Sequence, residues 1–131
     1  MSTEFESIFV KLRAILRKHR GTLQVKDDTP ACYCLEGGTG PASLRAWRDK
    51  MKKPTIPVAW VQIGKAYVSY HLMGIYGSAA LRDTISKELK AQMQGETCFH
   101  FKSDDEALFR ELEELTVRSI ADFRKAGFIT E

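Results

Sequence analysis

The sequence predicts an α+β fold, a two-layer sandwich in which N- and C-terminal helices pack on one face of a mostly antiparallel sheet. Both ends of the chain carry apolar residues at helical spacing. Between them lie short alternating runs rich in β-branched and aromatic residues, bounded by Gly, Pro and Asp. The short connections favour antiparallel pairing. A chain of 131 residues is expected to form one domain, residues 1–131, with a substantial core.

The first helix is predicted from about Thr3 to His19. One face carries apolar side chains at the i, i+3, i+4, i+7 spacing, namely Phe5, Ile8, Phe9, Leu12, Ile15 and Leu16. Gly21 suits the left-handed position that ends a helix. Two strands then follow at Thr22–Lys26 and Ala31–Leu35, and the residues between them, Asp27–Pro30, have the composition of a turn.

The next stretch is less regular. Gly37–Pro41 is predicted to be a loop, Ser43–Trp47 fits either a strand or a turn of helix, and Lys50–Pro54 is an exposed basic connection. Basic side chains near an indole could contact a nucleic acid, the candidates being Arg45, Arg48, Lys50, Lys52, Lys53 and Trp47. Because this charge is sparse and interrupted by an acid, we do not expect nucleic-acid binding.

The strongest strand signal is a hairpin of Ile56–Ile63 and Ala66–Met73, joined at Gly64-Lys65. Side chains alternate along a strand, so the more apolar set should face the helices: Ala59, Val61, Val68 and Leu72. The other face then carries Trp60, Gln62, Tyr67, Ser69, His71 and Met73. A sheet covered on one side leaves such a face available to a ligand or partner.

The remaining elements return the chain to the helical layer. Short helices are predicted from Ser78 through Ile85 and over Ser86–Met93, followed by a strand at Thr97–Phe101. The final helix is predicted to begin at Ser103, in a capping box with Glu106, and to end at Gly127. Its apolar stripe consists of Leu108, Phe109, Leu112, Leu115, Thr116, Ile120 and Phe123.

The candidate site depends on the last strand. If Phe99 and Phe101 are buried, Cys98 and His100 join His71 on the uncovered face. The predicted ligand-binding residues are therefore Trp60, Tyr67, Ser69, His71 and His100. The expected partner is a small molecule, a metal ion or a protein, and a symmetric homodimer through this face is an alternative.

Two sets of residues are candidate metal ligands. His71, Cys98 and His100 offer soft nitrogen and sulfur donors, with Cys32 or Cys34 as further candidates. Acids such as Asp104 and Asp105 could bind a hard cation, although acids also favour the start of a helix for its dipole alone. No standard ligand spacing is present, and partly buried cysteines and histidines are ordinary core residues.

Composition indicates the compartment. The cysteine count of three is odd, the N-terminus lacks the order of a signal peptide, and no apolar stretch approaches the ~20 residues of a membrane helix. These features predict a cytoplasmic protein that does not enter a membrane. The net charge is +3, with 11 Lys and Arg against 6 Asp and Glu in residues 1–60.

Several segments carry a resemblance to a known family. Tyr67–Met73 after the Gly64-Lys65 turn, Ser86–Lys90, and Gly95–Phe101 running into an acidic helix start resemble the YdhG-like domains of unknown function. The resemblance spans roughly Val58 to Phe123. Some members of that family are identified as frataxin-like intracellular iron chaperones. The resemblance implies terminal helices packed on an antiparallel sheet, and iron as a cargo.

Three functional interpretations follow. The first is a non-catalytic binding domain that uses the uncovered sheet face. The second is a frataxin-like iron chaperone; it ranks lower because that activity is associated with an acidic first helix, whereas five basic residues lie between Lys11 and Arg20 here. The third is an enzyme with Cys98 as nucleophile and His71 as base, although no catalytic sequence motif accompanies this pair.

Overall fold

The computed structural model describes residues 3–21, 23–38, 55–75, 79–94, 98–127 and 129. The predictions for Ser43–Trp47 and Lys50–Pro54, and the helix cap at Ser78, lie outside these residues. The same holds for the basic residues near Trp47 that were weighed as nucleic-acid contacts.

The described chain forms helices on an antiparallel sheet, which confirms the predicted α+β class. The helices are α1 (Thr3–Lys18), α2 (Ala79–Asp83), α3 (Lys87–Lys90) and α4 (Glu106–Lys125), and Met73–Ile75 form a 3₁₀ turn. The strands are β1 (Gln24–Thr29), β2 (Cys32–Gly38), β3 (Thr55–Ile63), β4 (Val68–Leu72), β5 (Met93–Gln94) and β6 (Cys98–Phe101). Their order in the sheet is β1-β2-β3-β4-β6-β5, and every neighbouring pair is antiparallel.

The core lies between one sheet face and the helices. Side chains from α1 and α4 form a single cluster with the inward residues of β2, β3, β4 and β6. The four strand residues predicted to face the helices, Ala59, Val61, Val68 and Leu72, are completely buried. Phe99 and Phe101 are buried with them. None of the described helices is long and apolar enough to cross a membrane.

Several predicted boundaries are wrong. Asp27–Pro30 is not a turn, because β1 continues to Thr29 and the chain reverses at Pro30 and Ala31. The hairpin between β3 and β4 has a four-residue loop closed by a hydrogen bond from the Gly64 N–H to the Tyr67 carbonyl (2.8 Å). The helix predicted over Ser86–Met93 ends at Lys90, and Met93 instead lies in strand β5.

Helix α4 begins two residues later than predicted. Asp105, not Ser103, is its N-cap, and its carboxylate accepts a hydrogen bond from the Leu108 N–H at 3.2 Å. Ser86 is the N-cap of α3, since its hydroxyl accepts a hydrogen bond from the Leu89 N–H. Glu111 of α4 in turn accepts hydrogen bonds from the Ser86 hydroxyl (2.6 Å) and N–H (2.7 Å), which ties α3 to α4.

A β-bulge changes the direction of side chains in β3. Leu35 pairs with Ala59 and the next residue, Glu36, pairs with Pro57, so Val58 is an extra residue. Strict alternation would place Val58 beside Trp60, but the bulge turns it into the core, where it is 1% exposed. Pro57 is exposed instead.

Both edges of the sheet are short or charged. Strand β1 is exposed along its whole length and carries Lys26, Asp27 and Asp28, and β5 has only two residues. Lys26 also pairs across to Glu36 of β2 at 3.2 Å.

The centre of the sheet is fixed to α4 through a buried hydroxyl pair. Thr116 donates its hydroxyl proton to the Leu112 carbonyl oxygen (2.7 Å), so its oxygen is left to accept from the Tyr70 hydroxyl, also at 2.7 Å. Tyr70 is completely buried, and burial raises the pKa of its phenol well above the usual range. The pair satisfies two polar groups that would be costly to bury alone.

The turn after β4 lies directly against α4. A methyl group added to Gly74 would overlap with the carbonyl group of Ser119. Ser119 is itself buried and donates its hydroxyl to the Thr116 carbonyl at 3.0 Å, so it has little freedom to move. This close approach requires a residue without a side chain.

We therefore expect Gly74→Ala to lower the free energy of unfolding by about 2–3 kcal/mol, because the added carbon must displace helix backbone. Gly21→Ala is the matched comparison: Gly21 has a φ of 56° but open space around its missing Cβ. That change should cost about 1 kcal/mol from backbone strain alone. Urea denaturation measures both, and an equal or smaller loss for Gly74→Ala would contradict the close packing.

Candidate functional site

The sheet face opposite the helices carries two adjacent rows of chemically functional side chains. Strand pairing aligns Cys34, Trp60, His71 and Cys98 in one row across β2, β3, β4 and β6. The next row consists of Cys32, Gln62, Ser69 and His100. We call these eight residues and the adjoining Tyr67 the open face.

The open face carries two pairs of stacked aromatic rings. Trp60 and His71 stack with their ring centroids 4.3 Å apart and their planes 12° apart. Tyr67, which directly precedes β4, stacks on His100 at 3.7 Å and 11°. All four side chains are partly exposed, so their outer ring surfaces are available for contact.

His71 also contacts the thiol of Cys98. The Cys98 Sγ lies 2.7 Å from His71 Nδ1, so the thiol donates its proton when the imidazole carries its own proton on Nε2. Burial, with a smaller contribution from His100, lowers the pKa of His71 to about 4. His71 is therefore neutral at pH 7, and an imidazole of such low basicity is a weak acceptor for the Cys98 proton.

The two thiols of β2 are held protonated. Burial, then the charge of Glu36, raises the pKa of Cys34 to about 11, and burial with the charge of Asp27 raises that of Cys32. A protonated thiol is a poor nucleophile and a poor metal ligand. None of the three cysteines is in a disulfide.

The five predicted ligand-binding residues all lie on one surface, and the structure brings Cys98 to them. Ser69 is the least accessible, at 9% exposure, with its hydroxyl donating to the Gln62 carbonyl at 3.4 Å. Met73 does not share this surface, contrary to the alternation argument. It follows the end of β4 and begins the 3₁₀ turn, which directs it to the core.

The acidic candidates for a cation site have structural roles. Asp104 accepts a hydrogen bond from Lys11 of α1 at 2.6 Å, and Asp105 caps α4. No group of three His, Cys, Asp or Glu side chains within the described ranges is arranged to hold a metal ion. The proposed soft ligands therefore form a pair, His71 and Cys98, with His100 engaged in its stack on Tyr67.

Two grooves border the stacked rings. One, of about 240 Å³, lies on the β2 side and is lined by Cys32, Cys34, Glu36, Pro57, Trp60 and Gln62, among others. The other, of about 590 Å³, lies on the β6 side and includes Tyr67, Gln92, Gln94, His100, Lys102 and Ser103. Sequence reasoning missed Gln92, Gln94 and Lys102 because the pairing of β5 with β6 was not predicted. The chain reversal that places them there had only the weak signal of Gly95.

A third concavity, of about 510 Å³, lies between α1 and α4. Among its lining residues, Glu113 contacts His19 Nε2 at 2.7 Å and Lys18 at 3.3 Å. These contacts, the one to His19 foremost, lower the pKa of Glu113. These contacts join the two helices. The stacked rings and the contact between Cys98 and His71 lie together on the open face, so we place the candidate site there.

Comparisons with protein-family models, with curated proteins and with solved structures give no match for this chain. The resemblance to YdhG-like domains therefore stays a prediction from sequence motifs.

The pKa of His71 makes stability depend on pH. The imidazole titrates near pH 4 in the folded protein and near its ordinary 6.5 in the unfolded chain, so the unfolded chain binds more protons between these values. The free energy of unfolding should therefore rise with pH through this window, and the contribution of His71 should be lost as pH falls toward 4. His71→Gln, compared with the unchanged protein by urea denaturation, should flatten this dependence. An NMR titration midpoint for His71 near 6.5 would contradict the assignment.

Proposed function

We propose that this chain is a non-catalytic binding domain that holds a small molecule on its open face. The observation that carries the proposal is the pair of parallel ring stacks, Trp60 on His71 and Tyr67 on His100, on a face that the described helices leave to solvent. Rings that are already oriented offer a large contact area with little loss of side-chain entropy. Trp60, His71 and His100 lie on paired strands, which fix the orientation of their side chains, and Tyr67 directly precedes β4.

The neutral state of the imidazoles supports binding through hydrogen bonds rather than charge. Burial lowers the pKa of both His71 and His100. A neutral imidazole offers one donor and one acceptor, and the amide of exposed Gln62 adds two donors and an acceptor. Such a mixed surface suits a ligand that combines flat apolar area with polar groups. We place the domain in a reducing compartment such as the cytoplasm, which suits three cysteines that form no disulfide.

We expect small-molecule ligands from a fragment library to shift the NMR signals of the open face, above all the indole N–H of Trp60. Trp60→Leu should weaken such ligands up to about tenfold, since aromatic stacking contributes about 0.5–1.5 kcal/mol beyond area. Val117→Ala, at a half-exposed residue of α4 on the helical layer, is the control and should leave affinity unchanged.

Two outcomes would change either the location of the site or the identity of its ligand. Ligands whose shifts map to α1 and α4, or that ignore Trp60→Leu, would remove the open face as the site. Sedimentation tests the alternative of a homodimer through this face: a doubled mass that Trp60→Leu returns to the single-chain value would make a second copy the occupant.

The second candidate is an enzyme with Cys98 as nucleophile and His71 as base, favoured by the 2.7 Å contact between Sγ and Nδ1. Nucleophilic attack would require the thiol proton to move to His71, which its pKa of about 4 opposes. This electrostatic argument ranks the enzyme below the binding domain.

Alkylation by iodoacetamide decides between them. We expect Cys98 at pH 7 to react no faster than a free cysteine, because its proton stays on sulfur. Mass spectrometry of the Cys98 peptide gives the rate, and glutathione is the reference thiol. A Cys98 that reacts many times faster than glutathione, and loses that advantage in His71→Gln, would favour the enzyme.

Frataxin-like iron delivery receives less support from the described residues. The two acids predicted as hard-cation ligands are engaged, Asp104 by Lys11 and Asp105 by the first turn of α4. Iron titration by calorimetry separates this alternative from the first proposal, with His71→Ala and Cys98→Ser testing the soft pair.

A further inference from the structure

The larger groove beside the open face differs in chemistry from the rest of that face. It measures about 590 Å³, within the range of small-molecule sites. One wall is the stacked pair of Tyr67 and His100. The opposite side is formed by the chain at Gln92 and Gln94, which β5 holds against β6 through pairing of Gln94 with Cys98. A hydrogen bond from the His100 N–H to the Gln92 carbonyl (2.7 Å) fixes these two sides relative to each other.

The groove has a positive charge at one end. Lys102 is its one charged side chain among the described lining residues, and no described carboxylate lies within ion-pair distance of it. The two acids that follow in the sequence have other partners: Asp104 accepts a hydrogen bond from Lys11, and Asp105 caps α4. The hydroxyl of Ser103 lines the groove beside Lys102 and adds a hydrogen-bond donor.

The remaining lining is polar but uncharged. The side-chain amides of Gln92 and Gln94 can donate and accept. His100 lies in the groove with its pKa lowered by burial, so at neutral pH it contributes a hydrogen-bonding ring rather than a second cation. An aromatic pair, two neutral amides and a single cation therefore line the same cavity.

We propose that this groove binds a small planar anion, with its ring against the Tyr67–His100 pair and its carboxylate or phosphate at Lys102 and Ser103. The inference rests on the proposed function and names the ligand class for one side of the same surface. A cation would meet Lys102 without a compensating acid among the described lining residues. A purely apolar ligand would strip water from the two amides without replacing their hydrogen bonds.

Matched probe pairs test the charge requirement. Adenosine 5′-monophosphate is compared with adenosine, and benzoate with benzamide, by NMR titration of the isotope-labelled chain, with affinities taken from the shifts of Gln92, Gln94, His100 and Lys102. Each anion should bind at least about fivefold tighter than its neutral partner, because a charged contact contributes more than a neutral hydrogen bond.

The variant Lys102→Gln should reduce this preference to less than about twofold, and higher salt should weaken the anions selectively. Lys125→Gln, at an exposed lysine of α4 on the helical layer, is the matched control and should preserve the preference. Equal affinities for anion and neutral partner, or a preference that survives Lys102→Gln, would overturn the inference.

Failure of this inference and failure of the proposed function give different spectra. If no probe shifts the groove residues but library ligands still shift the Trp60 indole, only the planar-anion inference fails. If neither set of signals moves with any ligand, both fail.

Discussion

The contact between strand β4 and helix α4 is the constraint on which the rest of this structure depends. The Tyr70 hydroxyl reaches Thr116, and four residues further on Gly74 approaches the Ser119 backbone too closely for any side chain. Both contacts are specific in direction as well as distance. They fix the position of α4 over the sheet, where simple apolar packing would allow the helix to slide.

Fixing one side of β4 also fixes the other. Because successive side chains of a strand point to opposite faces, burial of Tyr70 and Leu72 requires Ser69 and His71 to point outward. Antiparallel pairing with β3 and β6 then places Trp60 and Cys98 on either side of His71. The arrangement of the open face is thus a by-product of core packing, and it needs no loop to position it. Only Tyr67, at the end of the hairpin loop, is placed by a turn.

Much of this could be predicted from the sequence, because the fold class and the face assignment depend on periodicity alone. The alternation of Val68–Leu72 and the apolar stripe of α4 are strong signals for which few other arrangements exist. The predictions were wrong where a local irregularity, such as a β-bulge, interrupts the alternation of side chains along a strand. The extra residue at Val58 has no signature in the sequence, since a bulge depends on how two strands pair.

For the candidate site, the sequence predicts which residues share a face but not how their side chains contact one another. The shared face of Trp60, His71 and His100 follows from alternation, but their stacking and the 2.7 Å contact of Cys98 depend on side-chain rotamers. The larger groove was beyond prediction because β5 is two residues long, too short to leave a periodic pattern. At the start of α4, the observed cap is Asp105 and not the predicted Ser103. An N-cap side chain accepts a hydrogen bond from the backbone N–H two or three residues later. The Asp105 carboxylate makes this bond with the N–H of Leu108, three residues on.

The two edges of the sheet bear on how this molecule behaves in a crowded solution. An exposed strand offers unpaired backbone groups to any extended chain nearby, which is the usual route to aggregation and to binding by strand addition. Here one edge carries three charges in six residues and the other is only two residues long. Each therefore discourages continuation of the sheet into a neighbour. Aromatic rings can remain uncovered on a flat surface at lower risk of fibril formation when the edges beside them do not accept another strand.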